Sequence, residues 1–375
     1  MPIFVGRRSR AHEYDRTMTD GSATVPTAVL NRFGVDERDA VVEPLGRGHI
    51  HRTYLVCGAL APFVLQRINE TVFPDSDRLA GNIERVTDAL EQARTRGDYT
   101  LEWPAPLKDG RGNALVRVSG GTWRAASYIG GTYAIDEVDR PERARRGAEA
   151  FGRFCAALVP VDLQDLAELI PGFHDFDRRW AHLEQAVRAD TLGRAKEAAA
   201  EIDFCRQQRP LGAMLRAAQA ELPRRVCHND TKINNLLFDR SDHRPRAVID
   251  LDTCMPGWWM HDFGDIVRTF CSPEPEDSVR LDHVRVREDV FAAVCRGFVE
   301  PLVPHLSENE RDSLWLGARG IGLIIGVRFL SDHLEGDLYF SVSRPGQNLE
   351  RARNQLTLHR DLTARENELR PHLAG

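Results

Sequence analysis

The stretch that decides the fold is VCHNDTKINNLLFD at 226–239, followed by AVIDLDT at 247–253. In the first stretch Asp230 and Asn235 are five residues apart, and Asp250 ends the hydrophobic run of the second. The pieces NLLFD and RAVIDLD have the composition of strands, and turn residues lie between them, so they predict a short β-hairpin. Such a hairpin would bring the three polar side chains to one place.

The spacing of these residues suits phosphoryl transfer, which needs a base for the attacking hydroxyl, Mg²⁺ on the phosphates and a cation beside the moving charge. In the protein-kinase pattern His-Arg-Asp-x-x-x-x-Asn, the Asp is the base and the Asn binds Mg²⁺. His228, Asp230 and Asn235 have that spacing. We therefore expect Asp230 to be the catalytic base and Lys232 the cation. Asn235 and Asp250 are the expected magnesium ligands.

Composition limits the class of protein. The 375 residues are 28% charged and 42% hydrophobic, as in soluble globular proteins, and the net charge of −6 argues against nucleic-acid binding. The seven cysteines are scattered and lack a Cys-x-x-Cys pair, which favours reduced thiols in the cytoplasm. The apolar segment 314–330 contains Arg319 and Arg328, so it predicts a buried helix and not a membrane span.

The order of predicted elements gives an α+β fold in two lobes. Residues 1–22 are polar and predict a disordered tail. Residues 23–127 predict an antiparallel-sheet N-lobe with one helix inserted at 77–95, where apolar residues have helical spacing. Residues 128–375 predict a mainly helical C-lobe that holds the catalytic loop and the substrate pocket.

At this point the sequence resembles a known family, the protein-kinase-like aminoglycoside and choline phosphotransferases, and more closely the N-acetylhexosamine 1-kinases. The resemblance covers roughly residues 40–362 and rests on LGRGHIHRTYLV, FVLQRINETVFPD, HNDTKINNLLFD, VIDLDTCMPGWWMHDFGDIVR and RFLSDHLEGDLYF. It implies a protein-kinase-like two-lobe fold and a kinase that uses ATP and Mg²⁺. The implied reaction is phosphorylation of the anomeric C1 hydroxyl of an N-acetylhexosamine.

The resemblance also implies a nucleotide site. Gly46 and Gly48 would belong to a phosphate loop whose backbone approaches the nucleotide. Backbone groups near Ala125, Ser127 and Tyr128, where the chain would pass between the lobes, would meet adenine.

The sequence departs from the protein-kinase pattern on the third strand. The phosphate-binding Lys of that pattern is replaced by Gln66, with Arg67 beside it. Alternation along a strand puts these two side chains on opposite faces, so only one of them can point at the nucleotide. Glu84 on the following helix either pairs with Arg67 or lies on a solvated helix face.

For the acceptor sugar, the resemblance implies contacts from His49, Arg328 and Tyr339. Of Asp262 and Asp265, in the segment MHDFGDIVR, one is expected to accept hydrogen bonds from sugar hydroxyls. The alternative for such a residue is a buried position that supports the catalytic loop. Arg328 lies in so apolar a helix that it needs a partner, either a substrate oxygen or an acidic residue.

Two alternatives stay open. The same machinery could phosphorylate an aminoglycoside, another amino sugar or an antibiotic precursor. A catalytically silent kinase-like binding protein is supported only by the missing strand lysine. The expected partner is a small-molecule sugar, without nucleic acid or membrane, for a cytoplasmic monomer or weak homodimer.

Overall fold

The structure is a computed structural model, and it describes residues 25–46, 50–58 and 60–374. Gly48 and His49 lie outside the described residues, as does the predicted tail at 1–22. The roles expected for these two residues therefore stay predictions.

An antiparallel sheet forms the N-terminal part, as the sequence predicts. Its elements are α1 Thr27–Arg32, β1 Val41–Pro44, β2 Arg52–Cys57, β3 Phe63–Arg67, α2 Ser76–Arg96, β4 Pro106–Leu107, β5 Val116–Val118 and β6 Gly121–Ser127. The strands pair in the order β1-β2-β3-β6-β4, and β5 pairs with β6. Gly120 and Gly121 have φ values of 107° and 131°, which favour glycine, and they make the predicted turn before β6.

Helix α2 is the helix predicted at 77–95, and it connects the two parts of the molecule. It begins where the Asp75 side chain accepts a hydrogen bond from the Arg78 backbone, and it ends at Gly97, whose φ is 83°. Its apolar face packs in the same core as the helices that follow the sheet, through Leu79, Ile83, Val86 and Leu90. The sheet therefore rests on a helix that is fixed to the helical lobe.

The rest of the chain is mainly helical. Its elements are β7 Thr132–Tyr133, α3 Pro141–Ala157, α4 Phe176–Ala189, α5 Ala199–Gln207, α6 Leu211–Glu221, β8 Arg225–Cys227, β9 Leu236–Asp239, β10 Pro245–Val248, β11 Met255–Gly257, α7 Trp259–Phe270, α8 Glu288–Leu302, α9 Glu308–Glu335, α10 Gln347–Ala364 and α11 Glu366–Leu369. Strands β9 and β10 pair antiparallel, so the predicted hairpin is confirmed. A helical lobe behind an antiparallel sheet is the α+β architecture that the sequence predicts.

Helix α9 is the centre of the helical lobe. It is long and apolar enough to cross a membrane, but 89% of its most apolar window is buried inside the protein, as predicted for a core helix. A Cβ atom added to Gly264 of α7 would lie 2.3 Å from the carbonyl oxygen of Gly317 in α9. The two helices therefore touch backbone to backbone, and this contact fixes α7 beneath the catalytic loop.

Candidate active site

Backbone hydrogen bonds join the catalytic loop to the strand end that carries Asp250. The Ile249 N–H donates to the Asn235 carbonyl at 3.0 Å, and the His228 ring donates through Nε2 to the Ile249 carbonyl at 3.0 Å. Asp250 itself has a left-handed backbone, with φ of 62°. The predicted hairpin thus places Asp250 beside the loop of Asp230, as the sequence pattern requires.

Asp230 lies between two of its predicted partners. Lys232 Nζ is 3.0 Å from Asp230 Oδ1, and Asn235 Nδ2 donates to Oδ2 at 3.0 Å and to the Asp230 carbonyl at 2.8 Å. Burial opposes charge on Asp230, but the Lys232 ammonium outweighs this effect and holds the pKa of Asp230 below its usual value. Asp230 is therefore an ionised carboxylate at neutral pH, which is the form that can accept a proton.

Asn235 and Asp250 fit a magnesium ion. The Asn235 amide nitrogen is engaged by Asp230, which leaves its oxygen for a metal, and no residue within the described ranges donates a hydrogen bond to the Asp250 carboxylate. The Asp250 side chain is exposed to solvent, but the protein atoms around it and the charges of Asp252 and Asp230 raise its pKa to about 7. A cation would relieve this excess of negative charge.

The described part of the chain contains no group of three or more His, Cys, Asp or Glu residues that could hold a metal alone. Mg²⁺ is commonly held by one or two carboxylates together with substrate phosphates. One carboxylate, on Asp250, and one amide oxygen, on Asn235, fit that donor set.

Asp262 supports the catalytic loop from below. It is fully buried, its Oδ2 accepts from the His228 N–H at 2.9 Å, and its Oδ1 accepts from the Asn229 N–H at 2.7 Å. Burial raises the pKa of Asp262 to about 6. Since both oxygens are occupied inside the protein, the expected contact between Asp262 and substrate is wrong.

Asp265, one turn further along α7, belongs to a buried charge cluster. Arg268 Nε donates to Asp265 Oδ1 at 2.6 Å, and the Arg268 guanidinium also pairs with Glu276. Asp265 Oδ2 is buried and has no partner among the described residues. Asp265 and Lys232 are close enough for each to influence the other's pKa. Asp265 is therefore the carboxylate of this helix with an oxygen to offer near the base.

Arg328 is buried and lies close enough to Asp230 for the two charges to interact. Its guanidinium carbon lies 4.8 Å, 5.4 Å and 5.2 Å from the ring centres of Phe173, Tyr339 and Phe340. No carboxylate in the described chain lies within ion-pair distance of it. Burial lowers the pKa of Arg328, while Tyr339 and Asp230 act against that shift. Aromatic faces thus replace the acidic partner that the sequence analysis left open.

Helix α9 also orders the segment that carries Tyr339. The Asp332 carboxylate accepts hydrogen bonds from the backbone N–H groups of Leu338, Tyr339 and Phe340, at 2.7 to 2.9 Å. The chain therefore folds back at the end of α9 and places its aromatic rings over Arg328. Tyr339 is half exposed, as a residue facing a ligand can be.

Gln66 faces the cleft and Arg67 does not. Gln66 accepts from Arg124 Nε at 2.9 Å and donates to Thr53 at 3.1 Å, and both neighbours face the same side of the sheet. Arg67 points the other way, where its Nε lies 2.9 Å from the position of a Cβ on Gly121. The expected contact between Arg67 and the nucleotide is therefore wrong.

Three residues of the site escaped the sequence analysis. Arg124 Nη1 and Nη2 each lie 2.6 Å from a different oxygen of Asp252, and His51 Nε2 lies 2.5 Å from Asp252 Oδ2. They come from β6, from the turn after β10 and from the residue immediately before β2. The signal in the sequence was a second aspartate two residues after Asp250 and an arginine inside a strand.

The residues that are expected to meet adenine, Ala125, Ser127 and Tyr128, lie at the end of β6 and just beyond it. Ala125 is paired with Leu65 on one side and Leu107 on the other. Ser127 donates its N–H to the Ala105 carbonyl, and its hydroxyl accepts from the Ala105 N–H, both at 2.9 Å. Tyr128 lies just beyond these pairs and is exposed, and the adenine contact expected of this segment stays a prediction.

Gly46 and Glu84 complete the nucleotide side. Gly46 follows β1 with φ of 75°, and a Cβ there would meet nothing within 4 Å, so its backbone conformation is what favours glycine. Glu84 is 3.2 Å from the Lys108 ammonium, and both side chains are more than half exposed. Glu84 thus lies on a solvated helix face, which was one of its two expected placements.

This site, at the junction of an antiparallel sheet and a helical lobe, has the arrangement of a protein-kinase-like phosphotransferase. The model of the phosphotransferase enzyme family, which includes the aminoglycoside phosphotransferases, matches residues 41–298, more than half of the chain. The chain belongs to this family. It is therefore a phosphotransferase of the kinase-like fold.

Solved structures agree on the fold across almost the whole chain. An aminoglycoside phosphotransferase from Alicyclobacillus acidocaldarius subsp. acidocaldarius DSM 446 matches with a TM-score of 0.59 at 15% identity, over 95% of this chain and 98% of that one. Spectinomycin phosphotransferase, in complex with ADP and spectinomycin, gives 0.53 at 12% identity, over 90% and 97%. Choline kinase from Cryptosporidium parvum Iowa II gives 0.53 at 13% identity, over 93% and 99%. Their acceptors differ, so the shared fold leaves the acceptor open.

Proposed function

We propose that this protein transfers the γ-phosphoryl group of ATP to the anomeric C1 hydroxyl of an N-acetylhexosamine, with Mg²⁺ bound at the nucleotide. Two side chains near Asp230 support an acceptor pocket there. Asp265 has one buried carboxylate oxygen without a partner among the described residues, and Arg328 is a buried cation between aromatic rings. A neutral sugar ring with hydroxyl donors and an acyl oxygen complements that pair of groups.

The roles of the loop residues follow from their geometry. Asp230 accepts the proton of the C1 hydroxyl as the sugar oxygen forms its bond to the γ-phosphorus and the bond to the bridging oxygen of ADP breaks. Lys232, 3.0 Å from Asp230, offsets negative charge on the transferring group. Because little covalent chemistry is required of the protein, alignment and charge supply most of the rate enhancement.

Asn235 and Asp250 are the residues that would hold Mg²⁺. The ion, when bound, would neutralise charge on the phosphates. The residues themselves are fixed before any ligand arrives, since the hydrogen bond between Ile249 and Asn235 sets their spacing. This pre-formed geometry supports the proposal.

The electrostatics of the pocket argue against a polycationic acceptor. Arg328 lies close to a second arginine, the half-buried Arg179, and desolvation together with Arg328 lowers the pKa of Arg179 to about 10. The nearby carboxylates Asp265 and Glu276 are largely neutralised by Arg268. An aminoglycoside with several ammonium groups would therefore meet arginines where it needs free carboxylates.

An acceptor panel with radiolabelled ATP tests the proposal. N-acetylglucosamine, N-acetylgalactosamine, glucosamine, kanamycin and choline are compared at equal concentration with Mg²⁺ present. We expect labelled product with one or both N-acetyl sugars and at least tenfold less with the cationic acceptors, since one lost charged hydrogen bond corresponds to about 1.4 kcal/mol or more. Preferential labelling of kanamycin would establish the aminoglycoside alternative instead.

A further inference from the structure

The side of the cleft formed by the sheet lacks the cation that kinase-like enzymes place on the third strand. Gln66 is at that place, uncharged, and its side chain is held between Thr53 of β2 and Arg124 of β6. Arg124 is directly opposite Gln66 in the strand register. The positive charge on this face of the sheet is therefore on Arg124 of β6, the strand next to β3.

Arg124 is bound to the lobe opposite. Its Nη2 donates a hydrogen bond to Asp252 Oδ2 at 2.6 Å, and its Nη1 lies 2.6 Å from Asp252 Oδ1, within ion-pair distance. The side chains of Arg124 and Asp252 are only 13% and 4% exposed. Asp252 follows Asp250 by two residues, in the single 3-10 turn 251–253. The ion pair therefore fastens the sheet to the segment that carries the expected metal ligand.

His51 makes a second attachment between the same two parts. Its Nδ1 accepts a hydrogen bond from the Asn69 N–H at 3.0 Å, so the ring proton is on Nε2, which donates to Asp252. His51 immediately precedes β2. Asp252 is thus held by two elements of the sheet that would lie over the nucleotide.

We propose that the cluster Arg124–Asp252–His51 is a positioning device that fixes Asp250 relative to the sheet, in place of the lysine–glutamate pair of protein kinases. Asp252 acts through Asp250 and is not itself a metal ligand, because its two oxygens are already occupied by Arg124 and His51. This inference rests on the proposed use of Mg²⁺ and ATP. It concerns nucleotide binding alone and is independent of the acceptor.

The test measures nucleotide binding without any acceptor. Wild-type protein, Arg124→Gln and Asp252→Asn are titrated calorimetrically with ATP plus Mg²⁺, and separately with ATP plus EDTA. We expect the Kd for the magnesium complex to rise by about tenfold or more in both variants, as is typical when residues that orient metal ligands are lost. Binding of ATP in EDTA should change less than twofold, and the double variant should be no more than twofold worse than either single one.

Two further proteins control for damage to the fold. Arg32→Gln breaks another arginine–aspartate pair, between the end of α1 and the buried Asp109 in the loop after β4, and should leave both Kd values unchanged. Arg124→Lys keeps the charge but loses the fork, and it should fall between wild type and Arg124→Gln. Thermal unfolding of each variant shows whether it is folded at the temperature of the titration.

Three results would overturn the inference. Equal weakening of ATP binding with and without Mg²⁺ would make Arg124 a direct phosphate ligand. Loss of the magnesium effect in Asp252→Asn alone, with Arg124→Gln unchanged, would make Asp252 a metal ligand. Unchanged binding in both variants would leave the cluster a structural link only. If wild-type protein failed to bind the magnesium complex, the proposed function would fall first, which distinguishes the two failures.

Discussion

Two regions near Asp230 are stabilised in different ways. One is the catalytic loop, and the other is the group of Arg328, Tyr339 and Phe340, which we propose to face the acceptor and call the acceptor wall. The loop is held by hydrogen bonds to fully buried groups, above all to Asp262 and from Thr231, whose hydroxyl donates to the Asp262 carbonyl at 2.7 Å. The backbone of the wall is held by hydrogen bonds to Asp332, and its ring faces surround Arg328 and include the half-exposed Tyr339. The backbone is therefore held by directional bonds in both regions, whereas the Arg328 side chain is held by ring contacts, which tolerate small shifts.

The largest effect is expected from the loop itself. Asp230→Asn removes the proton acceptor but keeps the shape and the contact with Asn235. We expect kcat to fall on the order of 10²- to 10⁴-fold, since this is the usual contribution of a general base. A coupled assay of ADP release measures kcat, and calorimetry with MgATP should show binding within a few-fold of wild type.

Asp242→Asn, on the exposed hairpin turn, is the matched control for that variant and should have wild-type kcat. A turnover rate in Asp230→Asn within tenfold of wild type would reject Asp230 as the base. The loop would then be a binding surface like the wall, and the two regions would no longer differ in catalytic role.

The second largest effect is expected on stability, from loss of the buried Asp262 side chain that supports the catalytic loop. Asp262→Ala leaves the N–H groups of His228 and Asn229 without acceptors inside the protein. We expect the free energy of unfolding to fall by about 2–4 kcal/mol, because each buried donor left unpaired is costly. Urea unfolding measures this loss. A loss below about 0.5 kcal/mol would show that the loop is not held from below.

The third effect falls on the wall. Arg328→Met keeps an unbranched chain between the rings but removes the charge and the donors. We expect the KM for the acceptor to rise by about tenfold or more, with the KM for ATP unchanged, as for the loss of one charged hydrogen bond. Steady-state kinetics with each substrate varied in turn separates the two constants.

Arg360→Met is the control for the wall. Arg360 stacks on Phe204 with 4.4 Å between guanidinium carbon and ring centre, in an exposed position. It should leave both KM values as in wild type. An equal rise in acceptor KM for both variants would show that Arg328 acts only through general stability.

The smallest effect is the expected dependence of the free energy of unfolding on pH in the ligand-free protein. The pKa of Asp250 is raised from 3.8 to about 7, so between these values the folded state holds a proton that the unfolded state has lost. Stability therefore falls as pH rises from about 4 through 7, by linkage. Asp250→Asn removes this dependence.

At pH 8, Asp250→Asn should be more stable than wild type without ligands, by about 1 kcal/mol once solvent screening of this exposed group is allowed for. At pH 4 the two proteins should be equal. Thermal unfolding at both pH values measures the difference. A variant less stable than wild type at pH 8 would mean that Asp250 has a partner that stabilises its charge.

The sequence predicted what depends on local pattern. The hairpin that brings Asp250 to Asn235 follows from two strand-like runs and a turn, and α2 and α3 follow from helical spacing. Residues that make contacts across the fold were harder to assign. Arg124 meets Asp252 across 128 positions of sequence, and His51 meets it across 201. Nothing in a local motif specifies such a pairing.

For the remaining site residues, the local pattern did not show which face of a helix or strand points toward the site. Asp262 and Asp265 are both in α7, but only the structure shows that Asp262 points at the loop backbone while Asp265 keeps an oxygen free. Gln66 and Arg67 are neighbours in β3, and alternation predicted that one of them must turn away. Which one depends on how the sheet sits on α1 and the helical lobe, and this is a tertiary property.

The most direct test of the central claim is phosphorus–proton correlation NMR of the product made from ATP, Mg²⁺ and N-acetylglucosamine or N-acetylgalactosamine. Transfer to the hydroxyl at C1 predicts a phosphorus signal coupled to the anomeric proton. Coupling to the protons at C6 or C3, or no phosphorylated sugar at all, would contradict the assignment of the pocket beside Asp230 to an anomeric acceptor.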